Sequence, residues 1–178
     1  MTKSLAAELE LLANRMTSQD AHNQQLSIPA LAERIAKNLN VKTDEVAILA
    51  ISERQRSLQF LVPPALRNVG SIPLSSTSAL AARTVRDSRP DIVNNFAAMR
   101  HASVFEGVKG EALNPTAIQK IISAPILHEG KVIGVIQISR KGVSAVDAGP
   151  DFSADDLGNL LAICKPLGKL MKHVAGEP

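Results

Sequence analysis

Residues 120–140, KIISAPILHEGKVIGVIQISR, decide the fold. Two β-branched runs, KIISAPILH and KVIGVIQISR, flank the dipeptide Glu129-Gly130, which suits a tight turn, so the stretch predicts a β-hairpin. Pro125 brings no amide hydrogen to a ladder; it argues against a regular central strand there and implies an edge, a bulge or a missing ladder bond. Beyond the loop KGVSAVDAGPD, Ser153 and Asp156 make a capping-box-like helix start, with Asp in place of the usual Glu or Gln. Leu157, Leu160, Leu161, Cys164, Leu167 and Met171 stripe that last helix. Pro166 is expected to kink it, because its ring nitrogen cannot bond to Ala162.

Upstream, EVAILAIS (45–52) is apolar on both faces, the mark of a central strand covered on both sides. A polar turn, SERQRS, leads to LQFLV, which the Pro63-Pro64 pair breaks, so residues 46–62 read as a second hairpin with a longer loop. An irregular stretch ends in SIPL. The run SSTSALAARTVRDS (75–88) then predicts a helix with hydroxyls at its start, ending between Ser88 and Pro90. DIVN is a short strand at most, and residues 94–116 fade into turns long enough for a functional loop or lid. At the N-terminus, Leu5, Leu9, Leu12 and Met16 form a narrow helical seam that wants a partner helix. The polar stretch SQDAHNQQ separates it from a second helix, capped by Ser27, lined by Ile28, Leu31, Ile35 and Leu39 and ending near Asn40. The element order implies an α+β sandwich on an antiparallel sheet.

The chain has 178 residues, 45% of them apolar, which matches one domain with a single core. Its 20 basic and 17 acidic residues are spread along the chain, with no polybasic arm. The loose cluster Arg83, Arg86 and Arg89 reads as a solvated helix face. Trp and Tyr are absent, which disfavours single-strand nucleic-acid binding. One cysteine excludes an internal disulfide and a cysteine metal cluster. Glu8 and Glu10 interrupt the N-terminal apolar stretch, unlike a signal peptide, and no run nears the roughly 20 apolar residues of a membrane span. The expectation is a cytoplasmic protein without membrane or nucleic-acid partners.

Hydroxyls at Ser75, Ser76, Thr77 and Ser78, placed at a helix start, suit either ordinary capping or an anion. His101 lies in the long loop, but His22, His128 and His173 are too distant in sequence to complete a metal site, so no metal is expected. No nucleophile-base order, phosphate loop or paired-carboxylate spacing appears, and the chain is expected not to be an enzyme.

These pieces resemble the GAF domain family over residues 27–175. VAILAIS with LQFLVPPAL is similar to the family's opening hairpin. IPLSSTSALAARTVRDSRPDIVNN resembles its proline-leucine entry, short helix, Arg-Pro turn and strand ending in Asn. KIISAPILHEGKVIGVIQISRKG with FSADDLGNLLAI resembles its closing hairpin and C-terminal helix, including Pro125 and Gly134. The resemblance implies a GAF-like (PAS-like) sandwich of five to six antiparallel strands, N- and C-terminal helices on one face and a pocket on the other. It divides the chain into an N-terminal helix and polar linker (1–26), a candidate dimerisation element, and a GAF domain (27–178).

The implied role is a sensory or signal-relay domain that binds a small ligand and forms a homodimer through its terminal helices. The implied ligand contacts are Ser76, Thr77, Arg83, Arg86, Asn94, Asn95 and His101, and Arg140 with Asp156 would form a structural ion pair. The alternative is a ligand-free interaction domain whose pocket is filled by Phe96, Met99 and Phe105. The special chemistries of the family fit poorly. A lone Cys164 on a core stripe suits neither covalent bilin attachment nor thiol redox cycling. The cyclic-nucleotide signature lacks its Asn and Glu, with Ser139-Arg140 and Asp156-Leu157 in their places. The cofactor is therefore unassigned.

Overall fold

The computed structural model describes residues 4–15, 28–68, 70–98 and 117–174. Met16, the polar linker, the Ser27 cap, and residues 99–116 of the long loop lie outside them. Helix α1 spans Leu5–Arg15 and α2 spans Ile28–Leu39. Strands β1 (Val46–Ser52), β2 (Ser57–Val62) and β3 (Ser71–Pro73) precede α3 (Leu80–Asp87) and β4 (Asp91–Val93). Strands β5 (Ala117–His128) and β6 (Lys131–Gly142) lead to the closing helix α4 (Ala154–Val174).

The six strands make one antiparallel sheet in the order β3-β2-β1-β6-β5-β4. At its centre the predicted hairpin is present, and Glu129 (φ 52°) and Gly130 (φ 80°) both take the left-handed backbone that a two-residue turn needs. Pro125 pairs with Val135, but β4 reaches only Ile121 to Ser123 and the ladder shifts register at Ile126/Leu127. The proline thus sits past the end of its short outer neighbour and beside a bulge.

Both faces of β1 are covered. Val46 and Ile48 join a core built from α1, α2 and α4, while Leu49 faces α3 together with Leu58, Phe60 and Val135. Helix α2 stops where Asn40 turns left-handed (φ 57°) and Val41 N donates back to Ala36 O at 3.0 Å, a Schellman ending. Ser4 caps α1 by accepting from Ala7 N. Helix α4 opens on the predicted capping box: Ser153 N donates to Asp156 Oδ2 at 2.8 Å and Asp156 N to Ser153 Oγ at 3.2 Å. It then runs through Pro166 to Val174 as one helix.

Two readings need correction. The irregular stretch ends in an edge strand, β3, formed by the first three residues of SIPL, in which Ile72 pairs with Leu58; three residues are too few to carry a period. The hydroxyls of Ser75 to Ser78 do not lie in the first turn of α3, which starts only at Leu80 behind Ala79. They form the preceding turn, where Ser76 Oγ accepts from Ala79 N at 3.1 Å.

The N-terminal seam has its partner within the chain. Leu5, Leu9 and Ala13 are buried in the same core as α2 and α4, and Lys169 reaches across to Glu10 at 2.9 Å.

Candidate ligand-binding site

Helix α3 lies on the sheet face opposite the terminal helices. Its small residues Ala81 and Ala82 allow close approach, and Leu80 packs with Val93, Phe96, Ile118 and Ile121. One polar residue interrupts this apolar contact. Thr84, 2% exposed, bonds to Leu80 O at 2.9 Å and shares a 2.7 Å hydrogen bond with Ser123 Oγ on β5. Ser123 also accepts from Gln137 Nε2 on β6 at 3.2 Å. Ser123 and Gln137 are cross-strand partners, so their side chains leave the sheet on the same face.

The polar strip continues along β6. Ser139 Oγ donates to Glu45 O at 3.4 Å, and the buried Glu45 carboxylate accepts from Lys42 N at 2.8 Å and Lys141 N at 2.6 Å. Gln137, Ser139 and Lys141 alternate with the apolar Ile136 and Ile138, which point to the other face. That period of two stands in the sequence, in VIQISRK, and marks a polar row that sequence reasoning passed over in favour of the loops.

Between the end of α3 and β4 a groove of about 480 Å³ is lined by Arg83, Thr84, Asp87, Arg89, Pro90 and Asp91. Arg83 bonds to Asp91 at 2.5 Å across it, with both side chains near half exposure. Asp91 is the cross-strand partner of Ser123 and Arg83 is the chain neighbour of Thr84, so an exposed ion pair and a buried hydroxyl pair join α3 to the sheet side by side.

The residues predicted as ligand contacts are not brought together. Arg86 donates to Ser76 O at 2.5 Å and to Leu74 O at 3.4 Å, so it holds the turn before α3 rather than pointing into a pocket. Thr77 and Asn95 are exposed. Asn94 grips Phe152 by both backbone groups, accepting from its N at 2.9 Å and donating to its O at 3.1 Å. His101 lies outside the described residues. Among the described residues of the set, Arg83 alone lines the groove.

The ion pair expected between Arg140 and Asp156 is also corrected. Asp156 closes the capping box of α4, while the Arg140 guanidinium donates to Pro150 O at 2.5 Å and lies 4.5 Å from the centre of the Phe152 ring. Its cross-strand neighbour Lys120 pairs instead with Asp151 at 2.8 Å.

Cys164 is buried in the α4 core, and desolvation pushes its thiol up to about 12, which keeps it neutral and unreactive. Among the described residues no three His, Cys, Asp or Glu side chains gather to hold a metal, and no helix is long and apolar enough to cross a membrane.

A six-stranded antiparallel sheet with terminal helices on one face and a short helix over a polar row on the other defines an α+β sandwich fold. The chain belongs to the GAF domain family, whose model matches residues 25–170. Among solved structures it is similar to the GAF domain of an Acinetobacter phosphoenolpyruvate-protein phosphotransferase: 14% identity, TM-score 0.64, covering 97% of this chain and 96% of that one. The corresponding Coxiella burnetii domain is 10% identical with TM-score 0.66, covering 94% and 90%. A free methionine-R-sulfoxide reductase from Neisseria meningitidis, in complex with its substrate, is 15% identical with TM-score 0.61, covering 98% and 95%. At such identities the likeness is one of fold. No curated protein sequence matches the chain.

Proposed function

We propose that this GAF domain is a cytoplasmic, non-enzymatic sensor that binds a small molecule against the α3 face of the sheet and works as a homodimer. The observation that carries the reading is the Thr84–Ser123–Gln137 row: hydroxyls and an amide kept in a layer of aliphatic side chains with Phe60 and Phe96. Core packing gains nothing from such groups, whereas recognition of a polar ligand needs a few of them in an apolar surround. The reductase relatives share the fold. A single buried thiol held neutral gives this chain no partner for their named redox chemistry.

The terminal helices supply the surface for dimerisation. Leu11 on α1 and Leu161 on α4 remain about 40% exposed after the internal seam is packed, and Gly158 beside Leu161 has open space around it. Light scattering across a concentration series tests this part; a monomer throughout refutes it.

A second reading, an interaction domain with a filled pocket, has support in Phe96, which is 3% exposed among Leu80, Val93, Ile118 and Ile121. Met99 and Phe105 lie outside the described residues. Thermal-shift screening against nucleotides, carboxylates and amino acids separates the two, because a ligand that binds only the native state must raise Tm. A screen in which every compound fails favours the filled pocket.

A further inference from the structure

The lining of the groove at the end of α3 has a chemical pattern of its own. Arg83 and Asp87 come from the helix, Arg89 from the bend after it and Asp91 from β4, so two positive and two negative groups face one space of about 480 Å³. That volume lies within the range of small-molecule sites, roughly 300–1,000 Å³. Asp87 and Arg89 are exposed and make no hydrogen bond or ion pair among the described residues. A simple anion entering here would meet two aspartates, and a simple cation two arginines. Only a molecule carrying both charges on neighbouring atoms meets a complement for each.

We propose that this groove binds a small zwitterion of the α-amino-acid class; the proposal rests on the reading that this face takes a ligand. The ligand carboxylate takes the fork of the Arg83 guanidinium in place of Asp91, a geometry arginine provides and lysine does not. The released Asp91 carboxylate then receives the ligand ammonium. Opening an ion pair this exposed costs little, so the exchange is not blocked by the stability of the resting contact. Thr84 lines the groove and bonds to buried Ser123, so occupancy is felt directly by the polar row beneath α3.

The experiment is a thermal-shift titration of the full chain with each common L-α-amino acid, and with its deaminated acid and methyl ester as single-charge analogues. The expected result is that at least one amino acid raises Tm in proportion to the logarithm of its concentration, while both analogues of that compound fail. Arg83→Gln and Asp91→Asn should each abolish the shift. Arg34→Gln, which removes an ion pair to Glu8 on the terminal-helix side, should leave it intact. If either groove variant fails to fold, the other and the single-charge analogues still decide. The proposal is overturned if no amino acid shifts Tm, or if the shift survives in a folded groove variant. A non-zwitterionic ligand that shifts Tm equally in wild type and both groove variants would overturn it while leaving the sensory reading standing.

Discussion

Adding one methyl group to α4 should have opposite effects at two glycines of the same helix. At Gly168 a β-carbon would lie 2.2 Å from the Leu127 carbonyl oxygen and 3.1 Å from its carbon. That is about 1 Å inside even a close C–H···O approach. The obstacle is backbone of β5, which cannot rotate aside, so Gly168→Ala must lift α4 from the sheet. Overpacking of this kind costs about 3 kcal/mol at the upper end, and alanine's better helix propensity returns up to ~1 kcal/mol. The net loss of about 2 kcal/mol corresponds to a fall in Tm of about 4–8 °C in a chain of this size. Gly158 has nothing within 4 Å of its would-be β-carbon, so Gly158→Ala should gain helix propensity alone, about 0.5–1 kcal/mol. Urea denaturation followed by circular dichroism measures both, with an unchanged m-value as the sign that the folded state is otherwise the same. If Gly168→Ala proves as stable as Gly158→Ala, α4 does not rest on Leu127 and the packing of the helix layer described above is wrong.

Burial raises the Cys164 thiol from its ordinary 9.0 to about 12, so the folded chain holds this proton more tightly than the unfolded one. The contribution is complete below pH 9 and is lost as pH rises from 9 towards 12. By about pH 10 the wild type should have lost about 1.4 kcal/mol relative to Cys164→Ala; equal pH profiles of the urea midpoint for the two proteins would show that the thiol meets solvent. Leu9 is fully buried among residues of α2 and α4, so Leu9→Ala should cost about 2–5 kcal/mol in the same assay. A neutral effect would mean that α1 is an independent arm rather than part of the domain core.

The fold was legible wherever an element was long enough to show its period. The central hairpin spans 12 residues in each strand, and both its turn and its proline irregularity stand in the sequence. Helix α4 announces itself through a capping box and a stripe. The three-residue strands β3 and β4 carry no period of their own; they exist because a neighbouring edge offers unpaired backbone groups, which is tertiary information. The start of α3 failed for a related reason. Ser and Thr side chains serve a turn as well as a helix cap, and the chain uses Ser76, four residues before Leu80, to close the turn onto Ala79.

The candidate site was legible in its residue types and not in their partners. Asn94 and Arg86 were expected to contact a ligand and Asp156 to pair with Arg140 as well as cap α4, yet each bonds the chain itself: Phe152, the Leu74 and Ser76 carbonyls, and the amide of Ser153. Sequence spacing does not say which carbonyl a long arginine will meet. The alternation of Gln137 and Ser139 with Ile136 and Ile138 does fix that the two polar residues share a face, and their burial beneath or beside α3 follows only when Leu80, Ala81 and Ala82 are seen to lie on that face. Loops are the usual carriers of function, but here the buried polar row stands on α3 and on strands β5 and β6. Thr84 on α3 and Ser123 on β5 keep two hydroxyls in the apolar layer, bonded to each other, and a buried polar pair there is a stronger sign of a site than an exposed loop side chain.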